Sequence, residues 1–146
     1  MPMTIEQVNK PLSALSKSDY IDQNFTHSEL TSKIISCCIE VHSYLGPGLL
    51  EGIYEDALEK EIEINYINFE RQKQIELNYK GRKIGKHRVD FLVENEVVLE
   101  LKSVESLNNL FLAQLITYLR VMDKKVGLLI NFNVDQLKYG IKRIIL

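Results

Sequence analysis

The stretch Arg88-Val89-Asp90-Phe91-Leu92-Val93-Glu94-Asn95-Glu96-Val97-Val98-Leu99-Glu100-Leu101-Lys102-Ser103-Val104 decides the fold. Its two nearly apolar runs predict adjacent strands over 87–93 and 97–104, joined tightly around Glu94-Asn95-Glu96. In the second run Val98, Glu100, Lys102 and Val104 share one face, and Val97, Leu99, Leu101 and Ser103 the other. Glu100 and Lys102 therefore project the same way, about 6.6 Å apart. Asp90 is the one acid within 89–93. Burying such groups is costly unless they serve each other or a metal ion. Three ionisable side chains on two adjacent buried strands make a site-like pattern.

The hairpin register refines this. Residues opposite each other in a strand pair point to one face, so Asp90 must oppose Glu100 or Lys102 and never Leu101. Asp90 opposite Glu100 requires Val93 opposite Val97 and a three-residue loop, Glu94-Asn95-Glu96. A two-residue loop would send Asp90 to the wrong face unless a bulge intervened. Asparagine tolerates the positive φ such loops commonly need. We expect the three-residue loop.

Upstream, period-two patterning predicts a strand over 69–79 and a turn at Lys80-Gly81-Arg82. Before that, Thr26-His27-Ser28-Glu29 reads as a capping box opening a helix, with Leu30, Ile34, Cys38, Val41 and Leu45 at helical spacing. Gly46-Pro47-Gly48 ends it. A second helix follows to about Asn65, its stripe formed by Leu50, Ile53, Tyr54, Ala57, Leu58 and Ile62. Residues 1–25 show no sustained period and read as an irregular arm before a single domain, 26–146. Downstream, Ser106 is the expected N-cap of a helix to about Met122, with Leu107, Leu110, Phe111, Leu115 and Leu119 inward. The apolar run 126–132 suits a strand buried on both faces and parallel to its neighbour across that helix. The tail 141–146 reads as a last short strand. The predicted class is α/β, a mixed sheet of an antiparallel meander plus a parallel strand, flanked by helices.

The 146 residues suit one domain, and 45% hydrophobic with 26% charged content excludes disorder and fibrous repeats. The net charge of −2 does not announce a nucleic-acid binder, yet it conceals an uneven distribution. Residues 1–70 carry four basic against twelve acidic side chains, and 71–146 carry fourteen against eight. Arg71, Lys73, Lys80, Arg82, Lys83, Lys86 and Arg88 cluster along the first two predicted strands. They can contact a phosphate backbone without reading sequence, with Arg82, Lys83, Lys86 and Arg88 as the chosen candidates and Tyr79 available to stack on a base. A lysine-protected sheet edge is the competing reading. Cys37 and Cys38 are adjacent, have no other cysteine to pair with, and read as small buried residues in a reducing compartment. With no apolar leader and no membrane span, the expected location is cytoplasmic.

The chemistry that wants two carboxylates beside a lysine is metal-assisted phosphodiester hydrolysis. Hard carboxylate oxygens bind Mg²⁺ and leave positions open for water and phosphate. The metal polarises a phosphoryl oxygen and acidifies a bound water, while the lysine orients that water and offsets charge. The competing reading is an internal salt bridge from Lys102 to Asp90 or Glu100.

Asp90, followed ten residues later by Glu100-Leu101-Lys102, resembles the PD-(D/E)XK nuclease signature. Gly48-Leu49-Leu50-Glu51-Gly52-Ile53-Tyr54 resembles the G-x-x-E-x-x-Y motif of the small GxxExxY family within that superfamily. Glu40-Val41-His42, Leu45-Gly46-Pro47-Gly48, Ala113-Gln114-Leu115 through Tyr118-Leu119-Arg120, and Gly127-Leu128-Leu129-Ile130-Asn131-Phe132 are similar to it as well. The likeness spans about 28–146. It implies a restriction-endonuclease-like core and a Mg²⁺- or Mn²⁺-dependent nuclease, acting on DNA ahead of RNA. It further implies Asp90 and Glu100 as metal ligands, the Leu101 carbonyl as a third, and Glu51 as an extra acid aimed at the site. Lys102 would position the water. Gln114 and Tyr118, on one helix face at i, i+4, would line the site near the phosphate. Ser103 stands where relatives often carry alanine. The alternatives are a non-catalytic nucleic-acid- or protein-binding module that keeps the fold, and a chain active only as a homodimer.

Overall fold

The computed structural model describes residues 28–146, so the Thr26 cap and the 1–25 arm lie outside the described residues. Two helices, α1 (Ser28–Leu45) and α2 (Glu51–Ile64), precede the meander β1 (Phe69–Tyr79), β2 (Arg82–Val93) and β3 (Val97–Lys102). Then come α3 (Asn109–Met122), β4 (Val126–Asn131), a 3-10 turn (Leu137–Gly140) and β5 (Ile141–Ile145). The strands form one sheet in the order β1-β2-β3-β4-β5. β3 and β4 run parallel, with Glu100 beside Leu129 and Lys102 beside Asn131, and the other neighbours are antiparallel. This is the mixed α/β, restriction-endonuclease-like arrangement expected from the meander and the apolar run. Among the described residues no helix is long and apolar enough to cross a membrane.

Burial of apolar surface divides into two layers. On one face Ile34, Cys38 and Val41 of α1 and Tyr54, Leu58 and Ile62 of α2 pack against Phe91, Val93, Leu99, Leu101, Leu128 and Ile130. On the other, Leu112, Leu115 and Leu119 of α3 cover Val89, Leu92, Val98, Leu129 and Ile144. Every position of β4 is buried, Asn131 included, as its almost wholly apolar run requires of an interior strand. Gly127 lets α3 approach closely, for a Cβ there would stand 3.1 Å from the Leu115 side chain. Cys37 and Cys38 are free and buried.

The β2–β3 hairpin has the three-residue connection. Val93 pairs with Val97, the Glu96 N–H reaches the Val93 carbonyl at 2.9 Å, and both Glu94 and Asn95 have positive φ. β2 is longer than its apolar part suggests, because its ladder with β1 continues past a bulge at Leu77/Asn78 to the turn at Lys80 and Gly81. β3 is shorter than expected. After Lys102 the Val104 N–H and carbonyl are taken by the Asn131 carboxamide, at 3.1 and 2.9 Å, so the chain leaves the sheet.

The helix starts differ too. Asn108, not Ser106, caps α3, its side chain accepting the Phe111 N–H at 3.1 Å. The buried stripe is then Leu112, Leu115, Ile116 and Leu119, and Leu110 is 72% exposed rather than inward. Leu50 precedes α2, and Ile53 sits beside the Tyr54, Leu58, Ile62 stripe; both are exposed. His42, in the last turn of α1, bonds the Val134 carbonyl through Nε2 at 2.7 Å and so ties α1 to the loop after β4.

Candidate active site

A break in strand alternation creates the site. In β2, Phe91 and Val93 face α1 and α2, whereas Leu92 and Val89 face α3, so the two-residue period fails between 89 and 91. In β1, Phe69 packs on the α1/α2 layer and Ile75 and Leu77 on the α3 layer. The fault in β1 is Gln72, whose φ is +53°. The register runs Arg71 to Phe91 and Lys73 to Val89, and the rung between Gln72 and Asp90 is missing. Consecutive side chains Arg71 and Gln72 thereby both reach acids of α2.

The β2–β3 ladder also stops short of Asp90, at Phe91 opposite Leu99. Beyond it the two acids stand in for the backbone. The Asp90 N–H donates to Glu100 Oε1 at 3.2 Å, and the Leu101 N–H donates to Asp90 Oδ2 at 2.8 Å. Asp90 and Glu100 thus meet in the gap between diverging strands, which corrects the picture of two side chains on one uninterrupted face. Asp90 is 8% exposed and Glu100 5%. Burial pushes the Glu100 carboxyl up to about 8, with the Asp90 charge adding to it. Burial also raises the Asp90 carboxyl, Glu55 adding to this, against the Leu101 N–H, Lys102 and the Gln72 bond, which lower it.

Lys102 does not neutralise the pair by contact. Among the described residues it forms no ion pair within 4 Å, and its Nζ lies 4.7 Å from the centre of the Phe111 ring. The competing salt-bridge reading therefore fails, although the Lys102 charge is felt by Asp90, Glu100 and Glu51.

Glu51 opens α2, where an acid suits the positive end of the helix dipole. Burial raises its carboxyl, Lys102 opposes this, and Asp90 and Glu55 add to it, so Glu51 belongs to the same electrostatic group. Its position is held from two sides. Tyr54 is fully buried, donates to the Gly46 carbonyl at 2.5 Å, accepts the Leu49 N–H at 3.1 Å and stacks on Phe132. Ser103 Oγ donates to the Leu49 carbonyl at 2.6 Å, tying the end of β3 to the start of α2. Tyr54 and Ser103 are thus structural members of the site. A serine ending a buried strand in a loop gives no such signal in sequence.

From the α3 side, Tyr118 is buried, and burial together with the Glu100 and Asp90 charges raises its hydroxyl. Its ring stacks on His87 at 4.2 Å between centroids. Lys102 is close enough to help burial lower the His87 imidazole, placing at the site a residue that sequence spacing did not single out. Gln114, one turn before Tyr118, is exposed on α3.

Two further residues were missed. Glu55 is buried and its Oε1 accepts from Arg71 Nε at 2.9 Å and Gln72 Nε2 at 2.5 Å. Gln72 Nε2 also donates to Asp90 Oδ1 at 3.2 Å. Arg71 additionally pairs with Asp56 and Glu59, which raises its guanidinium further and locks β1 to α2. Arg71 thereby leaves the set of cations open to phosphate. Lys73 pairs with Glu70, and Lys83 with Glu76. Arg82, Lys86 and Arg88 are exposed along β2 and form no ion pair among the described residues. The tip of this two-stranded arm carries Tyr79, 61% exposed, and Ile84, 59% exposed.

The donor set accords with a hard divalent cation. Asp90 and Glu100 offer buried carboxylate oxygens, the Asp90 charge disfavours the ionised form of Glu100, and Lys102 forms no ion pair with either. Among the described residues no three His, Cys, Asp or Glu side chains converge to enclose a metal ion. Two carboxylates with open positions suit Mg²⁺, which keeps several waters, better than a closed structural site.

A family model described as the PD-(D/E)XK nuclease superfamily matches residues 28–144. No curated protein matches. Among solved structures, the crystal structure of SSO0001 is similar over 96% of this chain and 73% of that one, at 20% identity and a TM-score of 0.49.

Proposed function

Because this chain belongs to the PD-(D/E)XK nuclease superfamily, we propose that it is a metal-dependent nuclease whose centre is Asp90, Glu100 and Lys102, and that it represents the GxxExxY branch. The observation that carries this reading is the buried carboxylate pair, in which the Asp90 charge disfavours ionised Glu100, with a lysine beside it and not bonded to it. A structural ion pair would close that contact, whereas a catalytic lysine must keep its donors free.

Asp90 and Glu100, with the Leu101 carbonyl as a further oxygen donor, would hold Mg²⁺ or Mn²⁺, while the expected ligand Glu51 does not converge with them as a third enclosing carboxylate and acts through its charge. When bound, such a cation supplies Lewis acidity toward a phosphoryl oxygen and a water of lowered pKa. Lys102 orients the attacking water and offsets the negative charge that builds on the phosphate. Glu51 adds its charge from the end of α2. Tyr118, which feels the Glu100 and Asp90 charges, bounds the site on the α3 side, and Gln114, exposed one turn earlier, would reach the phosphate from solvent. Arg82, Lys83, Lys86 and Arg88 hold the nucleic-acid backbone along the β1–β2 arm, without reading sequence. The substrate proposed is nucleic acid, DNA ahead of RNA.

The test is Mg²⁺ and Mn²⁺ titration calorimetry on the wild type and on Asp90→Asn, alongside cleavage of labelled single- and double-stranded DNA and RNA. Binding and cleavage that both vanish in the variant establish the nuclease and name its substrate. A folded wild type that takes up neither metal leaves the alternative, a binding module that retains the fold.

A further inference from the structure

Gln72 occupies a strained conformation in the middle of β1, away from the bulge at Leu77/Asn78. A non-glycine residue at φ +53° is strained and persists where the surroundings over-determine it. The same conformation forfeits the rung to Asp90, while the ladder pairs on from Arg71 to Phe69 on one side and from Lys73 to Leu77 on the other. What it gains is the placement of one carboxamide. Both N–H groups of Gln72 Nε2 are used on carboxylates, Glu55 Oε1 at 2.5 Å and Asp90 Oδ1 at 3.2 Å. An amide oxygen facing two carboxylates would be repelled, so chemistry fixes which end points inward.

The other end of this link is rigid. Glu55 is buried and held by Arg71, which also grips Asp56 and Glu59 on the same helix. On its far side Asp90 is held by the Leu101 N–H. The two Asp90 oxygens are therefore fixed separately, Oδ2 by β3 and Oδ1 through Gln72 by α2. We infer that Gln72 is the positioning residue of the site, setting the rotation of the Asp90 carboxylate by anchoring it to Glu55 of α2. Partners of this kind orient metal-ligating carboxylates, and their loss typically costs about 10–100-fold in affinity or activity. The inference rests on the nuclease reading for its consequence and on geometry alone for the orientation.

Gln72→Gly keeps the positive φ without strain and removes the carboxamide. Gln72→Asn, also tolerant of this conformation, keeps an amide too short to span both acids. The readouts are thermal stability, Mn²⁺ affinity by calorimetry, and hydrogen exchange at the Leu101 amide. In both variants we expect a near-wild-type melting temperature, Mn²⁺ affinity down about 10–100-fold, and faster exchange at Leu101 but not at Leu99. Unchanged exchange at Leu101 overturns the inference whether or not metal binds, as does exchange that rises equally along all of β3. If Leu101 responds and the wild type takes up no Mn²⁺, the positioning role stands and the metal-centre reading falls.

Discussion

The Asp90 backbone N–H donates to the Glu100 side chain at 3.2 Å, in the place where an antiparallel rung would otherwise join their two strands. One carboxylate is thereby fixed by the other residue's main chain, and the strands part just enough to leave both acids in the gap. The arrangement is unfavourable for the empty pair of anions, so several measurable properties follow from it.

Stability of the metal-free protein falls as pH rises from about 5 to about 8. Glu100 titrates at about 8 in the folded chain, above its ordinary range, so the folded state binds the extra proton between those limits. The raised Asp90 carboxyl acts in the same direction. Urea midpoints across this interval should decline in the wild type and flatten in Glu100→Gln, which should be the more stable protein at pH 8. Added Mg²⁺ should raise the wild-type midpoint most at high pH, because binding only the folded state stabilises it.

Lys102→Met removes the charge and keeps the bulk over Phe111. Metal affinity should hold or rise, since no ion pair to the acids is broken, while cleavage falls by about 100–1,000-fold. Single-turnover cleavage beside metal titration separates the two effects.

Tyr54→Phe retains the stack on Phe132 and loses the bonds to the Gly46 carbonyl and the Leu49 N–H. A cost of about 1–3 kcal/mol is expected from buried groups left without a partner. Chemical denaturation measures it, and the Leu49 amide should exchange faster.

Replacing Arg82, Lys86 and Arg88 together by alanine should weaken nucleic-acid binding equally for unrelated sequences. The salt dependence of binding should lessen by about 0.9 in log–log slope for each duplex phosphate no longer neutralised. Filter binding across a salt series reads it out, and melting temperature should barely move because all three are exposed.

Much of the frame was legible because hydrophobic periodicity reports burial. The apolar run at 126–132 indicated the central parallel strand, and the loop length followed from asking which register could bring Asp90 to Glu100. What escaped was local conformation with no residue signature. Gln72 is neither glycine nor asparagine, so nothing in its identity announces a positive φ. Glu55 was hidden among the other acids of α2, because only the fold shows which one of them is buried. Ser103 and Tyr54 act through main-chain carbonyls, and the identity of those partners depends on a loop path that spacing does not encode. Leu110 was placed inward on its apolar identity, although at 100° per residue it stands about 140° from Leu115 on the helix and so faces solvent.

The missing rung at Gln72 also divides the long hairpin mechanically. On one side the ladder is buttressed by Phe69, Phe91 and the Arg71 clamp to α2; on the other it continues as a ribbon whose tip, from Asn78 to Lys86, is open to solvent. Cooperativity along a ladder passes from one hydrogen-bonded pair to the next, so an interrupted pair acts as a firebreak. Ile75 and Leu77 keep the middle of the ribbon packed on α3, so what can fray and re-form is the exposed tip beyond them, while the sheet and the acids stay in place. On the proposed nuclease reading, the tip can then follow the curvature of a substrate backbone without disturbing the carboxylates at the root of the arm.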